Sequence, residues 1–197
     1  MSRKKAHSPT LNCAELTDKS IVLVGLMGAG KTCIGKRIAD RLNMDFIDAD
    51  AEIEAAAKRT VPEIFAEFGE QAFRDGERRV IARLLSEKPR VIATGGGAFM
   101  DEETRSRTRK NAISIWLKAD LDVLLQRVSR RNNRPLLQVR DQRETLKNLI
   151  NQRHPTYSQA DITVNSGNEP PGTTAEKVYE ALRQFCLALD SNTAAQQ

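Results

Sequence analysis

The feature that most constrains this chain is a glycine-rich run near its amino terminus, Gly25-Leu26-Met27-Gly28-Ala29-Gly30-Lys31-Thr32, which has the pattern G-x-x-x-x-G-K-S/T. An apolar run at 21–24 precedes it, and an amphipathic segment at 34–42 follows it. Between a strand and a helix, such a loop turns backbone N–H groups around phosphate at the helix N-terminus. Lys31 would neutralise the β and γ oxygens, and the Thr32 hydroxyl would bind Mg²⁺. This P-loop (residues 25–32) predicts a nucleoside triphosphate site, and its flanking segments argue against a chance glycine-rich turn.

Four further apolar segments predict the remaining strands of a sheet, at 46–47, 91–93, 113–117 and 162–164. We expect the first two of these, like the strand at 21–24, to be buried. Helical patterns fill the gaps between the strands, as the crossover connections of a parallel sheet require. The sequence therefore predicts a doubly wound α/β fold.

The helical patterns predict one interrupted helix in the middle of the chain and one clear helix at its end. Apolar residues recur at helical spacing between 61 and 84, with a break at Gly69, which predicts a helical hairpin or a bent helix. Near the end, Thr173 and Glu176 form a capping-box pattern before an apolar stripe that ends at Leu189.

Composition and the two ends of the chain indicate one domain. Residues 1–19 and 190–197 lack periodicity and are predicted to be flexible arms around a single domain at 20–189. The three cysteines stand far apart, so neither a disulfide framework nor a zinc site is predicted. No apolar run approaches the roughly 18 residues that a membrane span requires. We therefore expect a cytoplasmic protein with no membrane partner.

Two carboxylates, Asp48 and Asp50, follow the second predicted strand. Residues at that position lie in the crevice beyond the carboxyl ends of a parallel sheet, near the P-loop. One carboxylate can bind Mg²⁺ directly or through water, and the other can accept a hydrogen bond from the hydroxyl that attacks the γ-phosphate. The alternative is that Asp50 simply caps the helix predicted at 51–57.

The third predicted strand ends in Thr94 and three glycines, Gly95, Gly96 and Gly97. Glycines at a strand end let a ligand approach the backbone and offer N–H donors to its oxygens, although a merely flexible turn has the same composition. No acid stands at this strand end to organise magnesium. That role therefore shifts to Asp48.

Arginines in two further segments are candidates for anion binding. On the interrupted helix, Glu77 lies one turn from Arg74 and can hold its guanidinium group. The segment 127–143, which includes Arg127 and Arg134, contains six arginines and one acid. This is the composition of a mobile lid that closes over transferring phosphate and excludes water. A solvated charged loop is the alternative.

The formal net charge of +5 also indicates an anionic partner. Nucleic acid is one possibility, but aromatic residues make up 5% of the chain and do not alternate with the basic ones. This weakens any surface for base stacking. Phosphate on a small ligand fits better, and we expect no nucleic acid partner.

Together these motifs resemble shikimate kinase, over about residues 20–189. The order and spacing of five motifs carry the resemblance: the P-loop, Asp48-x-Asp50, Phe73-Arg74-x-x-Glu77, the triple glycine and Arg134-Pro135-Leu136-Leu137. The resemblance implies a P-loop three-layer α/β/α fold with a five-stranded parallel sheet of order 2-3-1-4-5, usually as a monomer. It also implies transfer of the γ-phosphate of ATP, with Mg²⁺, to the 3-hydroxyl of shikimate on the chorismate route to aromatic amino acids.

The resemblance further implies roles for individual residues. Asp50 would hold substrate hydroxyls and orient or deprotonate the attacking one, while Asp48 would reach Mg²⁺ through water, beside Thr32. The residues implied in catalysis are Lys31, Asp50 and Arg134. The residues implied in shikimate binding are Asp50, Arg74, Gly95, Gly96, Gly97 and Arg153, the last matched from Gln152-Arg153-His154-Pro155-Thr156-Tyr157. The residues implied in ATP binding are Gly28, Ala29, Gly30, Lys31, Thr32, Cys33, Arg127 and Arg134, with the adenine edge against the loop at 165–170.

Three other classes of protein are alternatives. A gluconate kinase or a nucleoside-monophosphate kinase would share the P-loop and a lid, but the Asp-x-Asp pair and the triple glycine argue against them. A regulatory GTPase would need an N-K-x-D segment and a D-x-x-G switch, and the chain contains neither. A nucleic-acid-binding protein would show strongly salt-dependent binding to DNA or RNA.

Overall fold

The structure is a computed structural model that describes residues 18–129 and 141–194. Its centre is a five-stranded sheet in which every neighbouring pair is parallel and the spatial order is β2-β3-β1-β4-β5. The strands are β1 (Ser20–Val24), β2 (Asp45–Asp48), β3 (Arg90–Ala93), β4 (Ala112–Lys118) and β5 (Ile162–Asn165). Both the predicted strands and the predicted strand order are confirmed.

Helices connect the strands as the crossover rule requires. Within the described residues they are α1 (Lys31–Leu42), α2 (Ala49–Ala57), α3 (Val61–Ser86), α4 (Glu102–Asn111), α5 (Leu121–Ser129), α6 (Gln142–Tyr157) and α7 (Pro171–Ala194), with a short 3₁₀ turn at Ala98–Met100. Among these described helices, none is both long and apolar enough to cross a membrane.

The sheet is most deeply buried in its middle. Every residue of β1 and β3 is buried, and β4 is buried except at Lys118. The prediction that the strand at 46–47 is buried was wrong: Phe46 and Ile47 are only half buried, because β2 is an edge strand with a neighbour on one side. The Phe46 ring packs against α1: a Cβ added at Gly35 of that helix would lie 2.6 Å from the Cε2 atom of Phe46.

Helix α3 has two arms separated by a kink. Gly69 has φ 79° and ψ 175°, which is outside the helical region and strained for any residue with a side chain. The predicted bent helix is therefore confirmed. The first arm begins with a complete capping box between Thr60 and Glu63, which satisfies N–H groups that a helix leaves unpaired at its start.

The last helix, α7, differs from the prediction at both ends. It begins at Pro171, a residue that suits the first helical position because it has no N–H to leave unpaired, so Thr173 is not its cap. Glu176 forms an ion pair with Arg41 of α1 instead of a capping box. The helix continues through Ala194, beyond the predicted end at Leu189 and into the predicted flexible tail.

Candidate active site

The P-loop joins β1 to α1 and is shaped by glycines in left-handed backbone conformations. The φ angles are 137° at Gly25, 85° at Gly28 and 98° at Gly30, values that side chains rarely allow. A Cβ at Gly25 would also lie 2.7 Å from the Leu117 carbonyl oxygen of β4. Among the described residues, no side chain caps α1 at Gly30. Its first N–H groups therefore suit an anion such as a phosphate.

Lys31 and Cys33 lie in the first turn of α1. Lys31 Nζ donates to the carbonyl oxygens of Gly25 at 2.8 Å and Leu26 at 3.0 Å, which holds the ammonium group against the P-loop. Cys33 is half buried, and its Sγ accepts from Arg37 Nη1 at 3.1 Å.

Thr32 and Asp48 meet at the start of the crevice. The Thr32 hydroxyl donates to Asp48 Oδ2 at 2.8 Å, and Asp48 Oδ1 accepts from the Asp50 backbone N–H at 3.2 Å. Asp48 is therefore the N-cap of α2, and the alternative that Asp50 caps this helix was wrong. The cap is displaced because α2 begins at Ala49, earlier than the sequence suggested.

This pair of oxygens fits Mg²⁺. A hydroxyl and a carboxylate are hard donors, and Mg²⁺ usually takes one or two protein ligands beside water and substrate phosphates. No group of three or more His, Cys, Asp or Glu side chains in the described part of the chain could form a complete protein cage for a metal. The arrangement is consistent with a cation that is bound together with the nucleotide.

Two carboxylates flank the glycines that follow β3. A Cβ at Gly95 would lie 2.8 Å from Asp50 Oδ1 and 2.6 Å from Glu77 Oε1, so only glycine lets both side chains approach this backbone. Glu77 is 2% exposed, and its Oε1 has no hydrogen-bond partner among the described residues. Burial raises the pKa of Glu77, the positive charge of Arg74 partly offsets that rise, and the negative charge of Asp50 adds to it.

Two guanidinium groups reach the same glycines from different helices. Arg74, on α3, donates to Glu77 Oε2 at 2.7 Å, and a Cβ at Gly97 would overlap its guanidinium group. Arg153, on α6, donates from Nη1 to the Gly96 carbonyl oxygen at 2.9 Å. The structure thus gathers around the triple glycine the acid and both arginines that the sequence proposed for the acceptor. Such a set of groups can clamp a carboxylate and hold a hydroxyl.

Tyr157 is a residue of this site that sequence reasoning did not assign. It is the last residue of α6, it is fully buried, and its hydroxyl donates to the Gly96 carbonyl oxygen. Burial is the largest cause of the raised pKa of Tyr157, which keeps the phenol protonated and able to donate. The signal in the sequence was its spacing of four residues from Arg153, which places both side chains on one face of a helix.

Arg127 connects the P-loop to the loop after β5. Its Nη1 donates to the Gly28 carbonyl oxygen at 3.1 Å and to Ser166 Oγ at 3.0 Å, and its Nη2 donates to the Gly167 carbonyl oxygen. Ser166 in turn donates to the Ala29 carbonyl oxygen at 2.9 Å. The two loops expected to contact the nucleotide are therefore held side by side.

Part of the predicted site lies outside the described residues. Arg134 and most of the expected lid at 127–143 fall in the segment 130–140, and most of the expected amino-terminal arm falls in 1–17. These expectations stay predictions.

Comparison with known proteins identifies the family. Residues 27–183 match the sequence model of the shikimate kinase family. The chain is 54% identical to a shikimate kinase of Caulobacter vibrioides over 171 residues, covering 87% of this chain and 86% of the relative. It is 58% identical to a shikimate kinase of Bradyrhizobium diazoefficiens over 165 residues, covering 84% and 80% of the two chains.

Solved structures agree with this result. The structure of the shikimate kinase from Acinetobacter baumannii in complex with shikimate superposes with a TM-score of 0.82 at 38% identity, covering 86% of this chain and 95% of that one. A gluconokinase from Sinorhizobium meliloti superposes with a TM-score of 0.59 at 18% identity, which is a likeness of fold alone. The match of the family sequence model, the identity of the relatives and the geometry of the crevice all lead to one conclusion: the chain belongs to the shikimate kinase family.

Proposed function

We propose that the crevice between the P-loop and the triple glycine is where this shikimate kinase transfers the γ-phosphate of ATP to the 3-hydroxyl of shikimate. One observation carries the proposal: Gly96 contacts both halves of the crevice. A Cβ at Gly96 would lie 3.6 Å from the Met27 backbone nitrogen of the P-loop and 3.4 Å from Arg153 Nη1. A ligand held by the P-loop and a ligand held by Arg153 would therefore be neighbours, as direct transfer between them requires.

At the nucleotide end, the backbone N–H groups of the P-loop and the Lys31 ammonium group would bind the phosphates of ATP. Thr32 and, through water, Asp48 would hold Mg²⁺, which when bound neutralises charge on the phosphate oxygens. Gly28, Ala29, Gly30 and Cys33 belong to the same surface. Arg127, which already joins the P-loop to Ser166 and Gly167, would lie beside the adenine.

At the acceptor end, Arg74 and Arg153 would clamp the carboxylate of shikimate, and Gly95, Gly96 and Gly97 would let the ring approach the backbone. Asp50 would accept the hydrogen bond of the 3-hydroxyl and orient it toward the γ-phosphorus. The hydroxyl oxygen then forms the new P–O bond, the bond to the β-γ bridging oxygen breaks, and ADP leaves. The released proton would pass to the Asp50 carboxylate that holds this hydroxyl. Arg134 would add positive charge at the transferring phosphate.

We further propose that the protein acts as a monomer in the cytoplasm, as its family membership implies, with shikimate and not nucleic acid as its partner. Ion pairs with neighbouring carboxylates neutralise much of the positive charge on its described surface. Less of that charge is therefore available to bind the phosphate backbone of a nucleic acid. Ion pairs join Arg83 to Glu52, Arg107 to Glu103 and Arg183 to Glu180.

The test is the rate of ADP formation from Mg-ATP with shikimate, with gluconate, with AMP and with no acceptor. Gluconate is the matched control because a gluconokinase shares the fold. We expect the rate to rise only with shikimate. A rise with gluconate or AMP and not with shikimate would overturn the proposed acceptor.

A further inference from the structure

We propose that Tyr157 is a positioning residue for the acceptor: its hydroxyl fixes the Gly96 carbonyl group and thereby the Arg153 guanidinium group that receives shikimate. The inference rests on the acceptor site proposed above and adds to it a residue that would not itself touch the substrate.

The geometry that carries this inference is one carbonyl oxygen with two donors. The Gly96 oxygen accepts from the Tyr157 hydroxyl and from Arg153 Nη1, the latter at 2.9 Å. A carbonyl oxygen has two lone pairs, so these donors saturate it and fix the direction of the C=O bond. Because the peptide unit is planar and trans, the N–H of Gly97 in the same unit is fixed in the opposite direction. The Tyr157 hydroxyl therefore sets the orientation of backbone that the substrate approaches.

Tyr157 is anchored better than the arginine that it assists. Its ring is fully buried and packs near the Trp116 ring of β4, with 6.0 Å between the centroids. Arg153 is half buried and has a long side chain with several rotatable bonds. A rigid buried donor on the shared carbonyl keeps that carbonyl aimed at Arg153 and so reduces the conformations that the guanidinium group must give up when shikimate binds.

The competing explanation is that Tyr157 only fills the core. Tyr157→Phe separates the two, since phenylalanine keeps the ring and removes only the hydroxyl. The chain has two tyrosines, and the second supplies a matched control. Tyr179, on α7, is 5% exposed and lies under the guanidinium group of Arg41, near the end of α1 that is farther from the P-loop. Tyr179→Phe therefore removes the hydroxyl of a buried tyrosine that packs against the other end of α1.

The experiment measures kcat, the KM for shikimate, the KM for ATP and the melting temperature for the wild type and both variants. We expect Tyr157→Phe to raise the KM for shikimate about fivefold and to change the KM for ATP less than about twofold, since one neutral hydrogen bond is lost at the acceptor end alone. Tyr179→Phe should leave both KM values unchanged. A loss of packing would instead lower the melting temperature or the active fraction without this selective rise.

The outcomes separate the inference from the function on which it rests. An unchanged KM for shikimate in Tyr157→Phe, or an equal rise in both KM values, would overturn the inference while wild-type turnover upholds the function. A wild-type protein without shikimate-dependent turnover would overturn both.

A second measurement does not depend on the Tyr157→Phe variant folding. In a Tyr179→Phe background, biosynthetic incorporation of 3-fluorotyrosine labels Tyr157 alone. We expect its fluorine NMR resonance to shift when shikimate is added and to move less when ATP is added. A resonance that does not respond to shikimate would contradict the inference.

Discussion

The two ends of the crevice are built in different ways. The nucleotide end comes from one continuous segment, in which glycines, backbone N–H groups and the first turn of α1 create the anion site. The acceptor end combines side chains from distant parts of the chain: Asp50 from α2, Arg74 and Glu77 from α3, and Arg153 from α6, all arranged around the glycines after β3. The first end depends on local backbone geometry, and the second depends on the packing of the whole domain.

The two ends also differ in their electrostatics. The P-loop offers the partial positive charges of its backbone N–H groups beside the ammonium group of Lys31. The acceptor end buries Glu77 beside Asp50 and offsets this with Arg74 and Arg153, an arrangement that is costly unless each charge keeps its partner. Substitutions at the acceptor end should therefore change shikimate kinetics and spare the nucleotide. Substitutions of Thr32 or Asp48 should change the kinetics of the nucleotide and Mg²⁺ and leave those of shikimate unchanged.

The largest effect that would test this division is expected for Asp50→Asn. We expect kcat to fall at least about a hundredfold, because the amide cannot accept the proton or hold the attacking hydroxyl as a carboxylate does. The affinity for Mg-ATP should be nearly unchanged, because Asp50 lies beside Gly95 at the acceptor end. Turnover and equilibrium nucleotide binding measure the two effects.

Asp40→Asn is the matched control for this variant, since Asp40 lies on the exposed face of α1. It should keep both turnover and nucleotide affinity. A loss of ATP binding in Asp50→Asn would make Asp50 a metal ligand or a structural residue, and the division between the two ends would fail.

A smaller effect, on the nucleotide end, is expected for Asp48→Asn. Asparagine caps a helix about as well as aspartate, so α2 should keep its start while the charge near Mg²⁺ is lost. We expect the Mg²⁺ concentration for half-maximal rate to rise roughly tenfold, since a hydrogen bond or ligand contact from a charged group is worth more than one from a neutral group. The KM for shikimate should stay constant. A change in the KM for shikimate alone would mean that Asp48 acts at the acceptor end and not at the nucleotide end.

These differences explain which parts of the site could be predicted from sequence. The P-loop was predictable because its geometry is local: the glycines, Lys31 and Thr32 are adjacent in the chain and their conformation depends on few other residues. The strand order was correctly expected from the resemblance, which carries information about tertiary structure that periodicity alone lacks. The residues that it implied for the acceptor lie together around the triple glycine, and their role in binding shikimate stays a prediction. The edge position of β2 did not follow from the apolar pair at 46–47.

Other features needed the packed structure. Whether Asp48 or Asp50 caps α2 depends on a helix start that shifted by two residues from the predicted 51–57 to Ala49. The Glu77 oxygen that has no hydrogen-bond partner among the described residues and the hydroxyl of Tyr157 reach the glycines only through the packing of α3 and α6. The spacing of Glu77 from Arg74, and of Tyr157 from Arg153, indicates that each pair shares one face of its helix. The spacing does not indicate what that face contacts.

A still smaller effect is expected from pH, through Glu77. Protonation of Glu77 would replace a charge-assisted hydrogen bond to Arg74 by a weaker one, so the KM for shikimate should rise about fivefold as the pH falls through the pKa of Glu77. Because burial raises that pKa, the rise should begin above the range of an ordinary glutamate. Glu77→Gln is the comparison: it should have a high KM throughout and lose this pH dependence, while ionisation of shikimate affects both proteins alike.

Stability should move in the opposite direction to shikimate affinity. A raised pKa means that the folded state favours protonated Glu77, so the contribution of this group to the free energy of unfolding is fully present at low pH and is lost as the pH rises through the folded-state pKa. Glu77→Gln should remove this part of the pH dependence of unfolding. The assignment to Glu77 would be wrong if, in the wild type and not in Glu77→Gln, shikimate affinity and the free energy of unfolding both rose or both fell with pH.

The smallest effect on turnover is expected at the kink of α3, where two glycines form a matched pair. A Cβ at Gly69 or at Gly76 would meet no atom within 4 Å, so neither alanine variant would clash. Gly69 has φ 79°, however, and alanine there should cost about 1–3 kcal/mol of backbone strain, whereas alanine at the helical Gly76 should stabilise by about 0.5–1 kcal/mol. Melting temperatures should therefore shift a few degrees down and up, with nucleotide KM unchanged in both. Equal shifts would mean that the backbone conformation at Gly69 does not strain alanine. The second arm of α3, which carries Arg74 and Glu77, would then not depend on glycine for its direction.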